Sequence, residues 1–299
     1  MTVKHFSVDY KKVNERGTFS PGDVLSGTVT VLISKETKVQ CLSVSIKGKA
    51  RVTWCERDGR ATEVYGDKKR YFYFEHIILQ DKNKGDGESS TVGEMCFHSP
   101  LDMPSSYEGK WGKIRYSLRA QLTQSIWLVL KAKTEFPFVT KSEFPFASKI
   151  SFFGSEKITM NVTSEKMGVK QGEATGVSVE VLNDSAHAVT PKFYLCEKQT
   201  FAAQSKRLVH TNDILFGTGH PVPAHTSHTV IKVLNVPPQL PPTFFNCCMM
   251  KLEYRLKVSL DVLPPRDPEV KLPLIILLGS QKPHPQTLKN STGVRKFPR

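Results

Sequence analysis

The chain has 299 residues, 39% hydrophobic and 23% charged, enough for two domains that each bury a core and too apolar for wholesale disorder. Its net charge of +14 is evenly spread: 24 Lys and Arg against 17 Asp and Glu in residues 1–150, and 18 against 11 in residues 151–299. An even spread excludes a dedicated nucleic-acid arm, so no nucleic-acid partner is expected, and it suits faces that meet something diffusely acidic.

The chain opens on Met-Thr-Val-Lys-His-Phe-Ser-Val, which lacks the apolar core of a signal peptide, so a cytoplasmic protein is expected. Six cysteines show no C-x-x-C spacing, which predicts reduced structural thiols in that compartment. Ser20-Pro21-Gly22-Asp23 reads as a turn that opens onto a strand, Gly27-Thr28-Val29-Thr30-Val31. Leu42, Val44 and Ile46 then alternate with Ser43, Ser45 and Lys47, and residues 82–90 form a polar loop. At residues 102–122 a Pro-led turn precedes the strand Ile114-Arg115-Tyr116-Ser117-Leu118-Arg119-Ala120-Gln121-Leu122, in which every even position is apolar. Successive side chains of a strand point to opposite faces, so this strand has one buried and one wet face. Residues 135–155 repeat Glu-Phe-Pro-Phe and read as an edge-like connection packed by its phenylalanines, because proline cannot donate to a ladder.

The second half says nearly the same thing. Lys170-Gln171-Gly172-Glu173 opens onto alternating Val177, Val179 and Val181, and residues 239–260 bring another Pro-led turn before Leu252-Glu253-Tyr254-Arg255-Leu256-Lys257. The apolar run at 272–278 is far short of the ~20 residues that span a bilayer. The end, residues 281–299, is basic and without acid, and reads as a disordered tail. One plan used twice at this long period predicts two tandem domains, and short alternating strands with Gly and Pro turns predict an all-β fold of antiparallel β-sandwiches. The expected divisions are 1–150, 156–280 and 281–299.

Three groups of segments together resemble the arrestin domain-containing proteins, the α-arrestins. They are Phe19-Ser20-Pro21-Gly22-Asp23-Val24-Leu25-Ser26-Gly27; Leu101-Asp102-Met103-Pro104-Ser105-Ser106-Tyr107-Glu108-Gly109 with its Ile114-Arg115-Tyr116 strand; and Val236-Pro237-Pro238 with Pro242-Thr243 and Leu252-Glu253-Tyr254. The resemblance runs from Phe6 to Gly279. It implies an arrestin N-terminal-like sandwich followed by a C-terminal-like one, both immunoglobulin-like. It further implies a non-enzymatic adaptor that docks on cytoplasmic parts of membrane receptors or transporters, recruits ubiquitin ligases, and acts at the plasma membrane and endosomes in endocytosis and sorting. The family recruits those ligases through Pro-Pro-x-Tyr. Here the Pro-Pro pairs continue as Gln239-Leu240, Thr243-Phe244 and Arg266-Asp267, so direct recruitment by that motif is not expected. An alternative of the same fold is a retromer-like endosomal cargo-sorting subunit, and one from another functional class is a thioredoxin-linked redox regulator acting through Cys247 or Cys248.

Candidate sites follow from residue chemistry. Arg115 and Arg119 in the first repeat strand, with Arg255 and Lys257 in the second, suit a clamp on an acidic or phosphorylated segment if they share a face; the bland alternative is a solvated strand face. Cys247 and Cys248 are candidate reactive thiols, set against buried cysteines that act as small hydrophobes. Lys282, Lys289, Arg295, Lys296 and Arg299 in the tail, with Lys131, Lys133, Lys141 and Lys149 near the linker, are candidate contacts to anionic lipid, each worth ~1 kcal/mol near such a surface. His220, His225 and His228 have spacings that fit a loop rather than zinc. No catalytic constellation, metal site or cofactor site is expected.

Overall fold

Period-two alternation becomes strand throughout, and no helix forms among the described residues, which are 3–34, 38–59, 61–80, 95–98, 102–140, 149–154, 157–262 and 268–279 of a computed structural model. The first half holds β1 (Val3–Tyr10), β2 (Val24–Ile33), β3 (Cys41–Asp58), β4 (Ala61–Gln80), β5 (Met95–His98), β6 (Tyr107–Glu108), β7 (Gly112–Ser125) and β8 (Leu128–Phe136). They make two sheets, β1-β2-β5 and β4-β3-β7-β6, with β8 also pairing β7. The second half holds β9 (Lys149–Gly154), β10 (Ile158–Ser164), β11 (Gly168–Lys170), β12 (Ala174–Asn183), β13 (Thr190–Ala203), β14 (Lys206–Thr218), β15 (Thr226–Asn235), β16 (Met250–Asp261) and β17 (Glu269–Leu277). Its sheets are β15-β12-β10-β9 and β11-β17-β16-β13-β14. Each half is a β-sandwich, as the alternation predicts.

The two halves start from the same turn. Gly22 and Gly172 have φ of 85° and 77°, the value that the third residue of a type II turn demands and that glycine adopts without strain. In both, the fourth residue closes the turn twice over. Asp23 N–H donates to Ser20 O at 3.0 Å and its carboxylate accepts Ser20 N–H at 2.7 Å; Glu173 repeats this on Lys170 at 3.0 and 2.9 Å.

The Pro-led corners are duplicated in the same detail. Tyr116 is fully buried among Phe72, Phe136 and Phe138, and its hydroxyl donates to Pro104 O at 2.6 Å. Tyr254 donates to Pro241 O at 2.9 Å. Burial holds both phenols above their ordinary pKa, so each stays a hydrogen-bond donor. Gly48, beside this cluster, has no room for a side chain, because a Cβ would stand 2.6 Å from Phe72 and 2.7 Å from Tyr116. Thr243 locks the second corner to β17, giving its N–H to Ile276 O and accepting Ile276 N–H at its hydroxyl, 2.9 Å each. Pro241-Pro242-Thr243-Phe244 is therefore a structural corner.

The segment around residue 137 is an edge connection packed by its phenylalanines, with Phe136 and Phe138 both buried and Phe19 bonded on both sides to Pro137 and Val139. Lys149–Gly154 differs from its reading as the end of a domain and a connector: it is an edge strand of the second domain, paired along β10. The physical reason is that no proline follows Pro145 here, so every N–H of the segment is free to join a ladder.

The core runs across the junction between the sandwiches. Tyr107 packs on Phe244 at 5.2 Å, Trp111 on Phe201 at 5.8 Å and on His210 at 4.8 Å.

Replacing Tyr116 or Tyr254 by Phe strips a donor from a buried prolyl carbonyl. Each is expected to cost about 1–2 kcal/mol and to lower the thermal midpoint by ~2–4 °C in a calorimetric scan. A midpoint equal to that of the parent chain would show that the hydroxyls contribute nothing.

Candidate functional site

The outer face of the β4-β3-β7 sheet is built by the polar half of each alternation. On β3 the inward positions are Ile46, Gly48, Ala50 and Val52, which leaves Lys47, Lys49 and Arg51 outward; on β7 inward Ile114 and Tyr116 leave Lys113 and Arg115 outward. Register then decides what these cations meet. Lys49 stands opposite Arg70 of β4 on one side and Arg115 of β7 on the other. Arg51 stands opposite Lys68 and Lys113 in the same way. Two rows of three cations cross three strands in direct register.

A β-bulge helps to make this arrangement. The pairing slips between Gly48 and Lys49, leaving Tyr71 of β4 as the extra residue. Tyr71 is drawn off towards the junction, where its hydroxyl lies 3.0 Å from Cys247 Sγ. Arg70 then falls opposite Lys49 rather than one position away.

With Lys69 and Lys133 these side chains line a cavity of about 710 Å³ whose lining holds one carboxylate, Glu135. A shallower cleft of about 590 Å³ beside it shares Arg115 and Glu135 and adds Glu108. Glu135 bonds Lys133 and lies 3.7 Å from Arg115 Nη1, while Arg115 Nε donates to Glu108 at 3.0 Å. Burial, with Lys47, Lys133 and Lys113 as neighbouring charges, pulls the Lys49 ammonium below its ordinary pKa. Directly opposed strand residues have Cβ atoms ~5 Å apart, inside the ~8 Å Debye length of physiological salt, so the repulsion is incompletely screened. The face is complementary to a multiply charged anion, whose oxygens would take up charge-assisted hydrogen bonds.

Of the four basic residues singled out in the repeat strands, Arg115 lies in this cavity and Arg119 lies two rows further along the same face, beyond Ser117 and opposite Lys133. Arg255 and Lys257 do not join them, because they stand on β16 in a different sheet. Lys257 is already engaged, ion-paired to Asp213 and 4.6 Å over the Tyr194 ring. Lys133 was singled out only as a candidate lipid contact, and the remaining cations of the cavity were missed by the sequence reading. The signal was present as Lys47-x-Lys49-x-Arg51 and Lys113-x-Arg115, but the register that stacks them was not.

The two adjacent cysteines part company. Cys247 is 1% exposed, and burial holds its thiol above the ordinary value. Cys248 is exposed, with Lys69 Nζ 3.5 Å from its sulfur. His225 lies in a turn with φ of 55°, and His228 sits in β15. Among the described residues no cluster of His, Cys, Asp and Glu could hold a metal. Lys141, Lys282, Lys289, Arg295, Lys296 and Arg299 lie outside the described residues.

Two tandem sandwiches with paired type II turns and paired Tyr–Pro corners define a class, the arrestin fold. Residues 6–144 match the family model "Arrestin (or S-antigen), N-terminal domain", and residues 154–281 match the corresponding C-terminal domain. The chain is 23% identical to human "Arrestin domain-containing protein 4" over 286 residues, 87% of this chain and 68% of that protein. It is 21% identical to rat "Thioredoxin-interacting protein" over 301 residues, 93% of this chain and 74% of that one. The chain belongs to the arrestin domain-containing, or α-arrestin, family. Arrestin-family proteins are generally non-enzymatic adaptors.

Glu135 is held below 4.5, first by the Lys133 hydrogen bond and then by the charges of Lys133, Arg115 and Lys49. A depressed carboxylate contributes stability above its unfolded value and loses it as pH falls through its folded one. Glu135→Gln is therefore expected to flatten the fall in thermal midpoint below pH 4.5. Superimposable midpoint-against-pH curves for the two proteins would refute this.

Proposed function

We propose that this chain is a trafficking adaptor that docks on acidic or phosphorylated cytoplasmic segments of membrane receptors or transporters and promotes their endocytosis and endosomal sorting. The reading is supported by one observation above all: two cross-strand rows of three cations, in a cavity with a single carboxylate. An extended phosphopeptide supplies successive anionic groups along a line, which is the form of ligand a row of cations across strands accommodates. The work is binding, with no chemistry on the cargo. Recruitment of a ubiquitin ligase would follow by a route other than Pro-Pro-x-Tyr within the sequence given. The protein would be cytoplasmic and peripheral at plasma membrane and endosomes.

A second reading has its own observation. Cys248 is an accessible sulfur beside the Lys69 ammonium, the kind of electropositive setting in which thiols react, and it lies at the junction of the domains. A thiol-linked regulator would use Cys248, since Cys247 is buried. A mixed disulfide with a thioredoxin trapped by the parent chain and lost only in Cys248→Ser would favour it.

The adaptor reading is tested with Lys49→Gln, Arg51→Gln and Arg70→Gln combined, titrating a fluorescent acidic peptide with and without phosphoserines. The triple variant is expected to bind the phosphorylated peptide at least ~10-fold more weakly, about 1.4 kcal/mol, and to melt no lower than the parent because cross-strand repulsion is relieved. Equal affinity of the two proteins for the phosphopeptide would sink the proposal.

A further inference from the structure

The β7–β8 hairpin ends in a two-residue loop, Ile126-Trp127, between paired Ser125 and Leu128. Such loops ordinarily carry Asn, Asp, Gly or Ser, and they favour positive φ at their centre. The β13–β14 hairpin of this chain builds its two-residue loop that way: Gln204 and Ser205, between paired Ala203 and Lys206, have φ of 50° and 63°. At the β7–β8 tip neither central residue has positive φ, and a slip in pairing between Thr123 and Ser125 absorbs the mismatch. The Ser125 hydroxyl accepts the N–H of Trp127 at 3.3 Å and of Leu128 at 3.2 Å, so the tip is tied by its own backbone. What it holds out is apolar. Ile126 is 85% exposed, Trp127 90% and Leu128 42%.

Local turn chemistry therefore gives way to the display of a β-branched side chain and an indole, and such a conflict points to function. Charge names the partner. From Gly109 to Thr134 the sequence has no acidic residue, while Arg119, Lys131 and Lys133 follow the tip up the outer face. Lys131 lies three residues from Leu128, ~10 Å along the strand, and a lysine stem spans several ångströms more. That is the depth ordering of an interfacial anchor: aliphatic carbon deepest, indole at the boundary, ammonium groups among phosphates.

We propose that the β7–β8 tip is a membrane anchor, in which Ile126 and Trp127 enter the interface of a bilayer containing anionic lipid and Lys131 pairs with headgroup phosphate. The site is separate from the basic tail and from the cation rows around Lys49. It brings the first sandwich to the membrane by one edge.

The test uses the full chain with phosphatidylcholine vesicles with and without phosphatidylserine. Trp127 is one of three tryptophans, so the signal is the difference between the parent and Trp127→Phe. With phosphatidylserine present, Trp127 emission is expected to shift to the blue and to be quenched by acyl-chain-brominated lipid. Ile126→Ser with Trp127→Ser is expected to weaken vesicle binding about tenfold or more with the thermal midpoint unchanged. Lys131→Glu is expected to weaken binding to the anionic vesicles alone. Because the tip is solvated, none of these changes removes core packing, and circular dichroism verifies the fold. Unchanged vesicle affinity of the double variant overturns the proposal. So does a Trp127 that remains open to aqueous iodide in the vesicle-bound chain, which would make the tip a contact for a protein or for nothing.

Discussion

The hydrogen bond from a buried tyrosine to a prolyl carbonyl is the constraint on which the rest of the molecule hangs. Proline offers a carbonyl but no N–H, so a Pro-led corner at a sheet edge leaves an acceptor that needs a donor from elsewhere. Tyr116 provides it from the middle of β7, twelve residues on, and Tyr254 provides it from β16, thirteen residues on. Fixing Tyr116 inward fixes the phase of β7. Ile114, Leu118 and Ala120 follow it into the core, and Lys113, Arg115 and Arg119 are thereby committed to the outer face. A one-residue slip would reverse the whole set, so the same bond that closes the corner keeps the cations outward. The corner also delivers Tyr107 and Phe244 to each other, joining the domains through the two copies of one motif.

The bulge at Tyr71 couples that scaffold to its chemistry. A regular ladder would pair Tyr71 with Lys49 on the outer face; the slip lets its ring pack beside the junction core and brings Arg70 into the row. The residue before it but one, Lys69, lines the cation cavity and touches Cys248 of the second domain. Three consecutive residues of β4 thus serve the cavity and the junction together. The cavity and the fit between the sandwiches are mechanically adjacent, with the sulfur of Cys247 held by a phenol whose ring belongs to the first domain.

Much of this was legible in the chain and some was not, for physical reasons. The turns at Gly22 and Gly172 and the strands around Tyr116 and Tyr254 carry local signals, since a positive φ and a period of two are written within a few residues. The likeness between the halves made the Pro241 corner readable as structure. Strand pairing is non-local, so nothing near Lys49 announces that Arg70 and Arg115 flank it. The same holds for Arg255 and Lys257, which share the alternation of Arg115 and Arg119 yet belong to another sheet. The Ile126-Trp127 tip was passed over for a different reason: two apolar residues in a period-two run look like strand until the pairing shows that the chain reverses there.

Duplication of the scaffold did not duplicate its electrostatics. In the second domain, lysines on the strands around β16 have carboxylates at hand: Lys192 with Asp261, Lys198 with Glu253, Lys257 with Asp213 and Lys271 with Glu269. In the cavity of the first domain, the ion pairs among the described residues are those of Arg115 and Lys133, and they converge on Glu135 and Glu108 at one end. Exposed pairs of the first kind contribute little to stability, but each cancels the charge of its own lysine. Opposed cations of the second kind act against the sheet that carries them, and the sheet tolerates them because its inner face is closed by Tyr116, Phe72 and Phe138. The packed aromatic layer is what allows the layer above it to remain positive, so the stability of the first sandwich and its positive charge are set on opposite faces of the same three strands.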